Sequence, residues 1–168
     1  MRNISATWSC ILVLGCLPAL IGQRAAAQDI STPEERTQWV QITHMLESSP
    51  LDDNANKQGE WALKRLRDVH DVHVRLCPAL LSEFNGMKYT YSHTITRQYM
   101  LASGAFLIEN PNKAADANAA NLAAVESVLK TYQAILQQKP DAKAKALDDL
   151  LNEQGQGKLD KTVHEECQ

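Results

Sequence analysis

Hydrophobic residues recur at helical spacing along most of this chain beyond about residue 30. Trp39, Ile42 and Leu46 fall every three to four residues, which is the spacing of one face of an α-helix. Similar stripes follow at Ala62, Leu66 and Val69, at Met100, Leu101, Phe106, Leu107 and Ile108, at Leu122, Val125, Leu129, Tyr132 and Leu136, and at Leu147, Leu150 and Leu151. The pattern predicts an all-α fold, an antiparallel bundle of about five to six helices.

Capping and breaking residues mark where these helices begin and end. Thr32 can cap the first helix, Pro33 suits its first position, and Glu35 completes a capping box. Asn85-Gly86 indicates a turn, and Pro140 separates two helices near the C-terminal end. The links between predicted helices are therefore short, as in a bundle.

The stretch from His70 to Phe84 carries two patterns. Val72, Val74 and Leu76 alternate with polar residues as in a strand, whereas the apolar residues after them fit a helix. No second strand pattern is present to pair with the first, and an unpaired strand leaves backbone groups unsatisfied. We therefore expect a short helix here, entered by an extended segment, with Pro78 in its first turn.

Residues 125–158 resemble one tetratricopeptide unit in their spacing. Tyr132 lies on the first helix, Pro140 closes it, and an Ala- and Leu-bearing helix follows up to Gly157. Such solenoids need about three repeats to bury a continuous core. No second copy lies upstream, so a bundle remains the predicted architecture.

The first 27 residues have the pattern of a signal peptide. Arg2 gives a positive start, residues 8–21 are largely apolar, and Ala25-Ala26-Ala27 supplies the small side chains of a cleavage site before Gln28. We therefore expect an exported protein, periplasmic or extracellular. Two alternatives stay open: acylation at Cys16, which follows a loose lipoprotein box, and an uncleaved membrane anchor.

Cleavage after residue 27 of 168 would leave 141 residues, enough for a single helical domain over residues 28–168. The leader carries two of the 17 basic residues and none of the 20 acidic ones, which leaves a net charge of −5. This charge argues against nucleic acid and anionic membranes as partners. The helical segment at residues 92–108 is too short to span a bilayer, so no membrane-spanning segment is expected in the mature form.

The cysteines predict one disulfide. Cys10 and Cys16 would be removed with the leader, which leaves Cys77 and Cys167. Two cysteines in an oxidising compartment usually form a bridge. This bridge would attach the C-terminal end to the middle of the chain.

A candidate metal site involves His70 and His73, with His164 as a further ligand. On a continuous helix, His70, His73 and Cys77 would share one face, and imidazole and thiolate bind zinc or copper. A bridged Cys77 cannot serve as a thiolate ligand, however. The alternative is two exposed histidines beside a structural disulfide, with no cofactor.

Tyr89, Tyr91 and His93 form a candidate recognition patch. Tyrosine is favoured at interfaces because it combines apolar area with a polar tip. The alternative is that the two tyrosines cover a helix junction and direct their hydroxyls outward.

Sequence motifs of catalysis are absent. The chain contains no G-x-S-x-G, no phosphate-binding loop, no dinucleotide fingerprint, no C-x-x-C-H and no H-E-x-x-H. We assign no catalytic residue. We expect an exported helical protein with a binding or structural role, whose partner could be another protein. The alternatives are a small metal-binding envelope protein that uses His70 and His73, and a hydrolase without a recognisable motif.

Overall fold

The computed structural model describes residues 30–168, and these residues are helical with no strand among them. The helices are α1 (Pro33–Ser48), α2 (Asp53–Asp68), α3 (Pro78–Gly86), α4 (Ser92–Glu109), α5 (Ala117–Gln138), α6 (Lys145–Gly155) and α7 (Leu159–Glu166), with a 3₁₀ turn at Pro111–Lys113. The all-α prediction is confirmed, and the packing is compatible with a bundle. The described residues hold seven α-helices, one or two more than predicted.

The predicted signal peptide lies outside the described residues, as do Cys10, Cys16 and the predicted cleavage point before Gln28. Within residues 30–168, the structure contains no helix that is both long enough and apolar enough to cross a bilayer.

The first helix begins with the predicted capping box. The Glu35 backbone N–H donates to Thr32 Oγ1 over 3.2 Å, and the Thr32 N–H donates to Glu35 Oε2 over 2.8 Å. Pro33 occupies the first turn, where its missing N–H costs no helical hydrogen bond. Both ends of this reciprocal cap are therefore satisfied, and the start of α1 is fixed by local sequence.

Helix α4 is the central element. Its side with Leu101 packs in a cluster with Trp39, Ile42 and Leu46 of α1 and with apolar residues of α2. Its other side, including Ile95 and Tyr99, packs against α3 and α5. Burial on both sides fits the apolar residues on several faces of this helix, although Arg97 and Gln98 are buried there too.

The stretch between α2 and α3 is irregular and extended from Val69 to Cys77. Helix α3 begins at Pro78, which stands at its first position. This confirms the prediction of a short helix entered by an extended segment. A residue that precedes proline is disfavoured in the helical region, so Cys77 is a natural end to the extended segment.

The disulfide between Cys77 and Cys167 is present, with 5.2 Å between the two Cα atoms. It attaches the end of α7 to the start of α3. The buried Cys77 N–H also donates to the Tyr99 hydroxyl over 3.0 Å, and that hydroxyl donates to Asn121 Oδ1 over 2.6 Å. The end of the extended segment is thus held by α4, α5 and α7 together.

Candidate functional site

The proposed metal-ligating histidines do not share a helix face. His70 and His73 are exposed on the extended segment, and His164 is exposed on α7. The premise that His70, His73 and Cys77 lie at offsets along one helix is wrong, because residues 69–77 are not helical. Within residues 30–168, no group of three or more His, Cys, Asp or Glu side chains is placed to hold a metal ion. Metal binding by His70 and His73 stays a prediction that no feature of the described chain favours.

Of the two tyrosines that precede α4, Tyr89 has a structural role. The rings of Tyr89 and Tyr91 pack edge to face with centroids 5.5 Å apart, and Tyr89 packs similarly on Tyr132. The Tyr89 hydroxyl donates to the Ala142 carbonyl over 3.1 Å, so it points inward. Burial raises the pKa of Tyr89 well above its usual value, and the neighbouring tyrosines add to this rise.

Tyr91 and His93 instead line a shallow hollow. This hollow lies beside the buried Arg97, whose guanidinium donates to Glu60 Oε1 over 2.8 Å and to Asn56 Oδ1 over 2.5 Å. His93 is exposed, with Nδ1 3.9 Å from Glu60 Oε1. The charges of Arg97 and Glu60 are paired with each other, and Asp53 and Lys57 also line this hollow. A recognition role for Tyr89, Tyr91 and His93 stays a prediction.

A cleft of about 460 Å³ lies between the start of α1, the extended segment and the end of α4. Small-molecule sites commonly fall between about 300 and 1,000 Å³. One wall is polar and belongs to α1 and the extended segment. The other wall belongs to the end of α4 and the turn after it. The lining residues are Arg36, Asp71, Val72, His73 and Arg75, then Leu107, Ile108, Pro111, Ala114 and Ala115.

A hydrogen-bond network around Asp71 builds the polar wall. The Arg36 guanidinium donates to Asp71 Oδ2 over 2.6 Å, and the Ser31 hydroxyl donates to the same oxygen over 2.8 Å. The Ser31 backbone N–H also donates to this carboxylate, and Arg36 Nε donates to the Ser31 hydroxyl over 2.8 Å. The network joins the start of α1 to the extended segment, and so fixes the two parts of the wall relative to each other.

The pKa of Asp71 reflects this network. Partial burial raises the pKa of the carboxyl group, but the hydrogen bonds from Arg36 and Ser31 outweigh burial and hold the pKa at about 2. Asp71 is therefore ionised at neutral pH, and its charge is matched by Arg36. The ion pair is part of the wall and contributes no net charge to the cleft.

Replacing Asp71 by asparagine should cost about 1 to 2 kcal/mol of unfolding free energy at pH 7, less than the pKa shift alone implies because solvent reaches the site. A carboxylate whose pKa is lowered by folding stabilises the fold at pH values above 3.8, the pKa of the group in the unfolded chain. This stabilisation is lost as the pH falls towards 2. Urea unfolding should therefore show that Asp71→Asn lowers the free energy of unfolding by less at pH 2.5 than at pH 7. Asp68→Asn, at an exposed neighbouring carboxylate, is the control. An equal cost of Asp71→Asn at both pH values would contradict the role given to this carboxylate.

Two further side chains on the polar wall are available to a ligand. Arg75 and His73 are both exposed and line the cleft. In the part of the chain that the structure describes, neither side chain takes part in an ion pair or a hydrogen bond. The same cleft is also lined by the apolar residues Leu107, Ile108 and Pro111. Sequence reasoning missed this arrangement, although the alternation of Asp71, His73 and Arg75 with valines was its available signal.

A second hollow of about 500 Å³ adjoins the cleft, since Arg36 and Ile108 line both. It runs along the first turns of α1 and is lined also by Pro33, Thr37, Val40, Gln41 and Glu109.

The cleft has the composition typical of a small-molecule site, with an apolar wall and a few polar groups that can orient a ligand. Comparisons of this chain with protein-family models, curated proteins and solved structures find no match. Its function is therefore inferred from the shape and chemistry of the cleft.

Proposed function

We propose that this chain is an exported binding protein that holds a small organic molecule in the cleft between α1, the extended segment and the end of α4. The observation that carries the proposal is the cleft itself. It offers about 460 Å³ beside an apolar wall, with Arg75 and His73 free to orient a ligand. A hydrogen-bonded wall that is in place before the ligand arrives lowers the ordering cost of binding.

Export is the second part of the proposal. The Cys77–Cys167 disulfide supports it, because disulfides persist mainly in oxidising compartments. The leader pattern over residues 1–27 points the same way. A cleaved chain would begin at Gln28, which the intact mass of the exported protein would show.

Filling the cleft should abolish binding of a neutral hydrophobic probe. We expect N-phenyl-1-naphthylamine to bind the purified, oxidised protein with a saturable rise in fluorescence. Ala115→Trp puts an indole into the cleft from the exposed turn after α4, and should weaken the probe at least roughly tenfold.

The matched control is Ala79→Trp, at an exposed alanine in the first turn of α3 and outside the cleft lining. It should bind the probe as the unmodified protein does. A probe that does not bind saturably, or that binds Ala115→Trp and the unmodified protein equally well, would refute the proposed site.

A further inference from the structure

Charge in the cleft is unbalanced. Arg36 and Asp71 neutralise each other through their 2.6 Å ion pair. Arg75 has no such partner among the residues that the structure describes, and His73 beside it adds a second nitrogen donor. The whole chain nevertheless has a net charge of −3. A locally positive cleft on an acidic protein favours a ligand that carries negative charge.

Apart from the shared Arg36, the charged residue that lines the second hollow is negative, unlike Arg75 in the cleft. Its lining is largely apolar around Val40 and Ile108, and the charged group that it does not share with the cleft is Glu109. An anionic group would be repelled by this carboxylate, whereas a hydrocarbon chain would not. The cleft is therefore positive at Arg75, whereas the neighbouring hollow along α1 is largely apolar.

We infer that the ligand is an amphiphilic monocarboxylate, with its carboxylate at Arg75 and His73 and its hydrocarbon part across Ile108 towards Val40. This inference rests on the proposed function and specifies its ligand class. A guanidinium binds a carboxylate through two parallel hydrogen bonds, and one unpaired arginine matches one negative charge. The apolar wall and the adjoining hollow give the chain a surface to cover.

The headgroup is tested by comparing decanoate with 1-decanol, which has the same chain and no charge. Isothermal titration calorimetry should show decanoate binding at least roughly tenfold more tightly than 1-decanol. Arg75→Gln should remove this preference, while Arg75→Lys should retain part of it. Arg67→Gln, at an exposed arginine near the end of α2 and outside both hollows, should leave it unchanged.

The hydrocarbon part is tested by a series of carboxylates from butyrate through hexanoate and octanoate to decanoate. Affinity should rise along the series because each added methylene buries more apolar surface. Thr37→Trp fills the second hollow from an exposed position on α1, and should flatten this rise.

The outcomes separate the two proposals. If the neutral probe binds in the cleft but 1-decanol equals decanoate, or Arg75→Gln keeps the preference, the ligand class is wrong and the proposed function stands. Inorganic phosphate that binds as tightly as decanoate, or equal affinity for butyrate and decanoate, would likewise overturn the amphiphile. If the neutral probe does not bind saturably, the proposed function itself is wrong, whatever the carboxylates do.

Discussion

Replacing both Cys77 and Cys167 by alanine is expected to lower the free energy of unfolding by about 4 to 5 kcal/mol. The bridge spans a sequence separation of 90 residues, and the chain-entropy model assigns this much stabilisation to a loop of that size. The effect should be large because the bridge joins α7, at the C-terminal end, to α3 in the middle of the chain, so the loop that it closes is long. Urea unfolding of the oxidised protein and of the double variant measures the difference.

Reduction provides the internal control for this prediction. Dithiothreitol should lower the stability of the unmodified protein by a similar amount and leave the double alanine variant unchanged. A double variant within about 1 kcal/mol of the oxidised protein would show that the bridge contributes little, far below the stabilisation usual for a loop of this length.

Gly104→Val should destabilise the protein by about 3 kcal/mol, at the upper end of the usual cost of overpacking a core. A Cβ atom at Gly104 would lie 2.7 Å from Cζ2 of Trp39, and the Trp39 side chain is fully buried. The indole has little room to move because Ile42 and Leu46 of the same helix pack in its cluster. This glycine therefore sets how closely α1 and α4 approach.

Gly86→Val is the matched control, because a Cβ atom there meets nothing within 4 Å. Thermal and urea unfolding should place this variant within about 1 kcal/mol of the unmodified protein. Equal stability of the two valine variants would contradict the packing described between α1 and α4, and a loss of cooperative unfolding in Gly104→Val alone would support it.

Local sequence was sufficient to predict an all-helical fold and the cap of α1. Thr32, Pro33 and Glu35 satisfy the first turn of α1 among themselves, so no tertiary contact was needed to locate it. The disulfide followed from the number of cysteines in the expected mature chain. The sequence did not identify Trp39 as the neighbour of Gly104.

The extended segment shows where sequence reasoning ended. His70, His73 and Cys77 have spacing that would suit a helix, but the chain from Val69 to Cys77 is extended and Pro78 disfavours helix at the residue before it. The inward hydroxyl of Tyr89 likewise depends on Ala142, which is distant in sequence.

The cleft could not be predicted for a related reason. Its polar wall depends on hydrogen bonds between Ser31 or Arg36 and Asp71, which lie 35 to 40 positions apart in the sequence. Such pairs leave no periodic signal in the sequence. The chain has several arginines and aspartates, and the sequence alone does not show which of them pair. The alternation of Val72, Val74 and Leu76 with polar residues predicted an extended segment but not what packs beside it.

Chemical-shift mapping tests the central claim, that this cleft is the binding site, most directly. In ¹⁵N-labelled protein titrated with N-phenyl-1-naphthylamine, the amide signals of residues 71–75 and 107–115 should shift in a saturable manner, and those of α6 should not. These two stretches are distant in sequence, and residues of both line the cleft. An absence of saturable shifts, or shifts centred on the hollow beside Tyr91 and His93, would contradict the account.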